Sequence, residues 1–333
     1  MKILNQKDLQ IILMGSTIYG CGGGGRYNDA YNLLKDVKKP ITLLLPDELP
    51  KNSIICTGFG AGGLTTSGNP KQTMINNFIN LQKILPSPIR ALIPVEIGPM
   101  SLAYIFLMAS YYSLPIIDGD YVGGRASPDI DIELVTMYNK NRCPSVVSNS
   151  NGESLTIMSL NNPLRFESTV RNFSTNGKSK AYVLGYPFTP PAVKQIYSKQ
   201  SITKTLQTGT CLKNQIIQKI PDINIIDTGT ISSQKTTTRN GFTYGTYTIK
   251  SKAATYAVWY KNENLRIAKN NIVLTEVPTC ITLINTKSYI GLNNGDENDK
   301  KSVMIVSLLS DKRWYTKKGK SIFFADRFKQ YYL

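Results

Sequence analysis

The chain opens on a helical pattern. Asn5-Gln6-Lys7-Asp8 is a helix start signal, and Leu9, Ile12 and Leu13 follow at the spacing of one helix face. A glycine run interrupts it. Tyr27, Ala30, Tyr31, Leu34 and Val37 then resume helical spacing until Pro40 stops them. The apolar runs 41–45 and 53–57 suit strands, and Gly58-Phe59-Gly60-Ala61-Gly62-Gly63 reads as a second glycine-rich connection. Met74, Phe78, Leu81 and Leu85 share a face of a helix over 71–85. Beyond it, 91–97 reads as strand, 100–112 as helix and 114–118 as strand. Strands apolar on both faces and alternating with helices predict an α/β domain with a mostly parallel or mixed sheet. In such sheets the ligand crevice lies at the carboxyl ends of the strands.

Past about residue 165 the period changes. A helical stretch over 190–206, with a second around 212–219, leads into alternating segments such as Tyr244-Gly245-Thr246-Tyr247-Thr248-Ile249 and Thr255-Tyr256-Ala257-Val258-Trp259-Tyr260. Turns such as Asn293-Asn294-Gly295-Asp296 separate them, which predicts an antiparallel, β-rich second domain. The domains expected are 1–165 and 166–333.

Composition narrows the chemistry. The 333 residues hold 39 Lys+Arg against 22 Asp+Glu, a net charge of +17. The basic residues are dispersed and accompany no nucleic-acid-binding signature, so a solvated surface is expected rather than a specific nucleic-acid partner. Five cysteines without a CxxC pair, behind an N-terminus that lacks an export signal, point to a reducing, cytoplasmic compartment. The apolar stretch 100–117 is cut by Pro115 and falls short of the roughly 20 residues that span a bilayer. There is no histidine. That excludes Ser-His-Asp and Cys-His catalysis and every imidazole-bound zinc site. A divalent metal would have oxygen ligands, which favours Mg, Mn or Ca.

Several candidates remain. Gly22, Gly23, Gly24 and Gly25 precede a helix, so the backbone there can approach a ligand and offer free N–H groups, or merely make a tight turn. Glu96 ends one expected strand, Asp118 ends the next, and Asp120 follows two residues on. Gathered at one sheet edge, these acids can hold a metal or divide acid and base roles; apart, they cap helices or pair with Arg125. Arg125, after Gly123-Gly124, suits a carboxylate or a planar amide-like group. The Cys21 and Cys56 thiols, each before a glycine-rich stretch, either face the crevice or pack in the core.

These segments together resemble the S-methyl-thiohydantoin desulfurase-like family. The likeness is carried by the stretch from Leu4 to Gly25, by Ile93-Pro94-Val95-Glu96-Ile97-Gly98, and by Pro115-Ile116-Ile117-Asp118-Gly119-Asp120 with Gly124-Arg125-Ala126-Ser127-Pro128-Asp129. Lys261-Asn262-Glu263-Asn264-Leu265, Val277-Pro278 and Trp314-Tyr315 extend it into the second half. The resemblance implies an α/β domain followed by a β-rich one. It also implies a hydrolase of hydantoin-like or S-methyl-thiohydantoin-like cyclic amides, with loss of a thiol in the desulfurase itself. A small-molecule substrate is then expected, and homo-oligomerisation stays open. The alternative is a silent binding protein that partners a hydantoinase/oxoprolinase-type enzyme. This chain departs from the family pattern at Cys21, where Thr is usual, at Arg26-Tyr27, where Asp-Pro is usual, and by one extra residue between Asp120 and Arg125.

Overall fold

The computed structural model describes residues 1–63 and 70–331. Its strands, in chain order, begin with β1 Lys2–Leu4, β2 Ile41–Leu44, β3 Ile54–Ala61, β4 Ile89–Leu92, β5 Ile116–Ile117 and β6 Gly119–Asp120. They continue with β7 Ser145–Ser148, β8 Ser154–Ile157, β9 Ala181–Phe188 and β10 Ser198–Lys199. The second half supplies β11 Ile223–Arg239, β12 Phe242–Lys250, β13 Thr255–Lys261, β14 Glu263–Lys269, β15 Ile272–Glu276, β16 Cys280–Asn285 and β17 Ser302–Leu308. The helices are α1 Gln6–Tyr19, α2 Tyr27–Leu34, α3 Pro70–Ile84, α4 Pro99–Tyr112, α5 Leu134–Met137, α6 Pro163–Asn176, α7 Pro190–Ile196 and α8 Ser201–Lys213.

The helix start read from Asn5 is a capping box. Its Oδ1 accepts from the Lys7 and Asp8 amides, and the Asp8 carboxylate accepts from the Asn5 amide. Helix α4 is buried on all sides, from Leu102 to Ala109 within 2% of full burial, because it runs through the core rather than over it. No helix among the described residues is long and apolar enough to cross a membrane.

The first sheet has the order β1-β2-β5-β4-β3-β9-β7-β8. Strands β2, β5, β4 and β3 are parallel neighbours, and the flanking pairs are antiparallel, so the sheet is mixed. One of its strands, β9, comes from beyond residue 165 and lies between β3 and β7. Leu9, Leu102 and Phe106 pack on one side of this sheet, Val135, Phe166 and Val193 on the other. The second sheet, β15-β14-β13-β12-β11-β17-β16, is antiparallel throughout and has its own core of Tyr247, Tyr260, Ile267 and Ile305. The fold is therefore an α/β half with a mixed sheet joined to a β-rich half.

The helix expected over 190–206 is broken, with β10 pairing with β6 between α7 and α8, and two further segments differ from the sequence pattern. The glycine-rich stretch after Thr57 is not a connection: Gly58, Phe59, Gly60 and Ala61 extend β3 and pair with β9. Of the strand expected over 91–97 only 91–92 lies in a strand, β4, and the chain bends at Val95 and Glu96 before α4. Neighbouring strands settled both cases, and local composition does not encode them.

Candidate functional site

Parallel strands β3, β4 and β5 end on one side of the sheet, and a cavity of about 80 Å³ lies there. Residues 59–62 of the β3 end, Val95 and Glu96 after β4, and Val122 form part of its wall. The first turns of α4 add Met100, Ser101 and Tyr104. Arg171 of α6 and Lys180, just before β9, enter from another side. Asn262 and Glu263, at the turn between β13 and β14, complete the lining from the β-rich half.

Gly24 and Gly25 face this cavity with φ of +66° and +88°, a region that favours glycine. A Cβ on Gly24 would stand 2.7 Å from the Cα of Gly98, and one on Gly23 would overlap the Glu263 carboxylate. The run lets a backbone turn, the start of α4 and an acid occupy neighbouring space. The Gly22 carbonyl meanwhile accepts from the Asn294 amide, tying the turn to the second half.

The two cavity acids have different surroundings. Glu96 is well partnered: Oε1 accepts from the Ser101 hydroxyl at 2.8 Å and Oε2 from the Ser127 amide at 3.1 Å. Burial raises its pKa, and those two donors, with the Arg171 and Arg125 charges, pull it back. Glu263 Oε1 accepts from the Gly24 amide at 3.2 Å, while Oε2 is buried without a partner among the described residues. Burial first, and then the charge of Glu96, push its carboxyl well above the ordinary carboxylate range, against the opposing pull of Arg125 and Arg171. Burial thus raises both carboxyls, Glu263 the further, because two donors oppose the shift at Glu96 and one at Glu263.

Around the pair, Arg171 donates from Nε to Glu167 at 3.2 Å and from Nη1 to the Gly62 and Gly241 carbonyls. Glu133 lines the cavity too, but its carboxylate is held by Arg142 at 2.9 and 3.1 Å. The site is a poor fit for an oxygen-ligated divalent metal. Such an ion takes about six oxygen ligands, and no group of three or more Asp, Glu or Cys side chains gathers to hold one among the described residues.

The other acids and the arginine read from the sequence lie away from the cavity lining. The Asp118 carboxylate sits at the first turn of α8, accepting from the Thr203 amide at 3.0 Å and its hydroxyl at 2.6 Å. Asp120 accepts from the amides of Val122, Gly123 and Gly124, each at 2.8 Å, and burial raises its pKa to about 7. Arg125 is wholly buried and donates to the Ala126 and Pro278 carbonyls, with Phe323 stacked 4.9 Å away. The thiols of Cys21 and Cys56 are buried; Cys21 lies against Cys280, whose thiol is lowered to about 6 chiefly by its bond from Cys21, with Arg125 adding to the effect. Arg26 reaches Asp296 at 2.5 Å and the Gly295 carbonyl at 3.0 Å, so the residue that replaces the usual Asp fastens the glycine turn to the β-rich half. Glu263, Arg171 and Lys180 carried no candidate signal in spacing. The one pointer to Glu263 was its place in Lys261-Asn262-Glu263-Asn264-Leu265.

Comparison with known families accounts for both walls of the cavity. The S-Me-THD-like N-terminal domain matches residues 7–159, and the S-Me-THD-like C-terminal domain matches 161–329. The chain belongs to the S-Me-THD-like family. Glu96 falls in the S-Me-THD-like N-terminal domain and Glu263 in the C-terminal one, so the acid pair joins the two. A crystal structure of a protein from Chromobacterium violaceum is similar over 99% of this chain and 97% of its own, with a TM-score of 0.81 and 15% identity, a likeness of fold. No curated protein matches the chain.

Proposed function

We propose that this S-Me-THD-like chain hydrolyses a small hydantoin-like or S-methyl-thiohydantoin-like ring by acid–base catalysis, with Glu96 as base and Glu263 as acid. One observation carries the reading: a partnered carboxyl and a half-partnered one, raised further, share a cavity at the ends of parallel strands. Family membership supports the ring class of the substrate.

For an S-methyl-thiohydantoin, water attacks the ring carbon that bears sulfur, and Glu96 takes a proton from that water. Glu263 gives its proton to the departing sulfur as the carbon–sulfur bond breaks. The remaining proton of the water moves from the new hydroxyl to the ring nitrogen, giving the ring carbonyl and methanethiol, and one proton passed from Glu96 back to Glu263 resets the pair. For a hydantoin, the same two steps open a ring amide, the proton going to nitrogen. Gly25 lines the cavity wall, and its amide would serve as the donor to a developing oxyanion.

The test is turnover of S-methyl-thiohydantoin and hydantoin by wild type, Glu96→Gln and Glu263→Gln. General acid–base groups contribute about 10²–10⁴-fold each, so each variant should fold normally and lose at least two orders of magnitude in kcat. Full activity in both variants would overturn the assignment. Saturable ring binding by the wild type without turnover would instead favour a silent binding protein.

A further inference from the structure

The cavity also holds a positive charge that the acid pair does not use. Lys180 is partly buried at the cavity wall, with its stem against the end of β3: a Cβ on Gly60 would meet its Cδ at 3.3 Å. Its ammonium has neither an ion pair nor a hydrogen bond among the described residues. Of the other cations near the site, Arg125 donates to the Ala126 and Pro278 carbonyls and keeps its buried Nη2 without a partner among the described residues, while three have ion pairs. Arg171 pairs with Glu167, Arg142 with Glu133, and Arg26 with Asp296. Burial lowers the pKa of Lys180, and Arg26 and Arg171 add repulsion; Asp29 opposes them from the exposed first turn of α2, beyond ion-pair reach.

At a partly buried ammonium, a ligand carboxylate gains a charge-assisted hydrogen bond that water screens less than at the surface. With Glu263 neutral, the single negative charge of the pair sits on Glu96, which Ser101 and Ser127 already satisfy. Arg171 and Lys180 line the same cavity as Glu96 and Glu263, and the Arg171 charge acts on all three.

We infer that the cavity selects a ring bearing a carboxylate substituent, with Lys180 binding the carboxylate while Glu263 meets the ring. This deepens the proposed function and rests on its ring reading for the Glu263 end only. Lys180 is then a specificity-determining residue rather than part of the acid–base pair.

The experiment compares binding of hydantoin, hydantoin-5-acetic acid and succinate to wild type, Lys180→Gln and Lys180→Arg by titration calorimetry, with unfolding curves to show that each variant is folded. A charge-assisted hydrogen bond makes the acid bind wild type about tenfold or more tighter than the neutral ring. Lys180→Gln should erase that preference and leave the binding of hydantoin unchanged, and Lys180→Arg should restore part of it. Succinate has no ring and separates the two claims. If succinate binds wild type, is lost in Lys180→Gln, and neither ring binds, the ring reading fails and the anion subsite stands. Equal affinity of wild type for hydantoin and its acetic acid, or a preference that survives Lys180→Gln, overturns the inference whatever the rings do in turnover. Loss of turnover of a neutral ring in Lys180→Gln would also overturn it, by making Lys180 part of the chemistry.

Discussion

At the scale of the residue, two glutamates have the same chemistry and opposite environments. Glu96 works as a base only when deprotonated, so activity falls as pH drops through its raised pKa. Glu263 works as an acid only when protonated, so activity falls again as pH rises through a value well above 4.5. The expected pH profile of kcat is a bell, and Glu263→Gln should abolish its alkaline limb along with most of the rate. Stability follows the same group. Native Glu263 keeps its proton where the unfolded chain has lost it, so its contribution is fully present below the unfolded value near 4.5 and is lost as pH rises through the folded value. Denaturant titrations across this range should show a shallower alkaline decline for Glu263→Gln than for wild type. Glu96 was legible from the sequence because it sits where a parallel strand ends. Glu263 was not, because a turn between two antiparallel strands gives no hint that its side chain enters the other half.

At the scale of the element, the sequence was most informative where local rules decide. The helix start at Asn5 is written in adjacent residues and the structure keeps it, whereas α2 ends at Leu34, short of the stop expected at Pro40, and α4 starts at Pro99, one residue before the expected 100. Strand limits were less legible. Pairing with β9 makes the glycine-rich 58–61 a strand, and β9 comes from much later in the chain. Asp118 shows how one element borrows from another: a carboxylate after β5 supplies the acceptor that the first turn of α8 lacks among its own residues. Removing it leaves the Thr203 amide without that partner at a helix N-terminus. Asp118→Ala should therefore cost about 1–2 kcal/mol of stability, measured by denaturant unfolding. A variant as stable as wild type would show that the contact contributes nothing.

At the scale of the molecule, the two halves meet around charge. Lys261, from β13, is buried against Asp129 of the first half, and Arg327 near the C-terminus binds Asp129 at 3.2 Å and Asp131 at 2.6 Å. Without Lys261 the buried Asp129 keeps the longer contact with Arg327 as its counter-charge and loses the closer one. Lys261→Met should destabilise the protein by about 3 kcal/mol, read as a lowered denaturant midpoint. An unchanged midpoint would contradict that role. The same junction brings Glu263 beside Glu96, and the whole functional account depends on what that closeness does to Glu263. The direct measurement is the protonation of Glu263, followed by difference infrared spectroscopy of its carboxyl band against Glu263→Gln as pH is varied. The account predicts that Glu263 keeps its proton well above 4.5 and that its pKa falls in Glu96→Gln, where the neighbouring charge is gone. A Glu263 that titrates near 4.5 and ignores Glu96→Gln would contradict it.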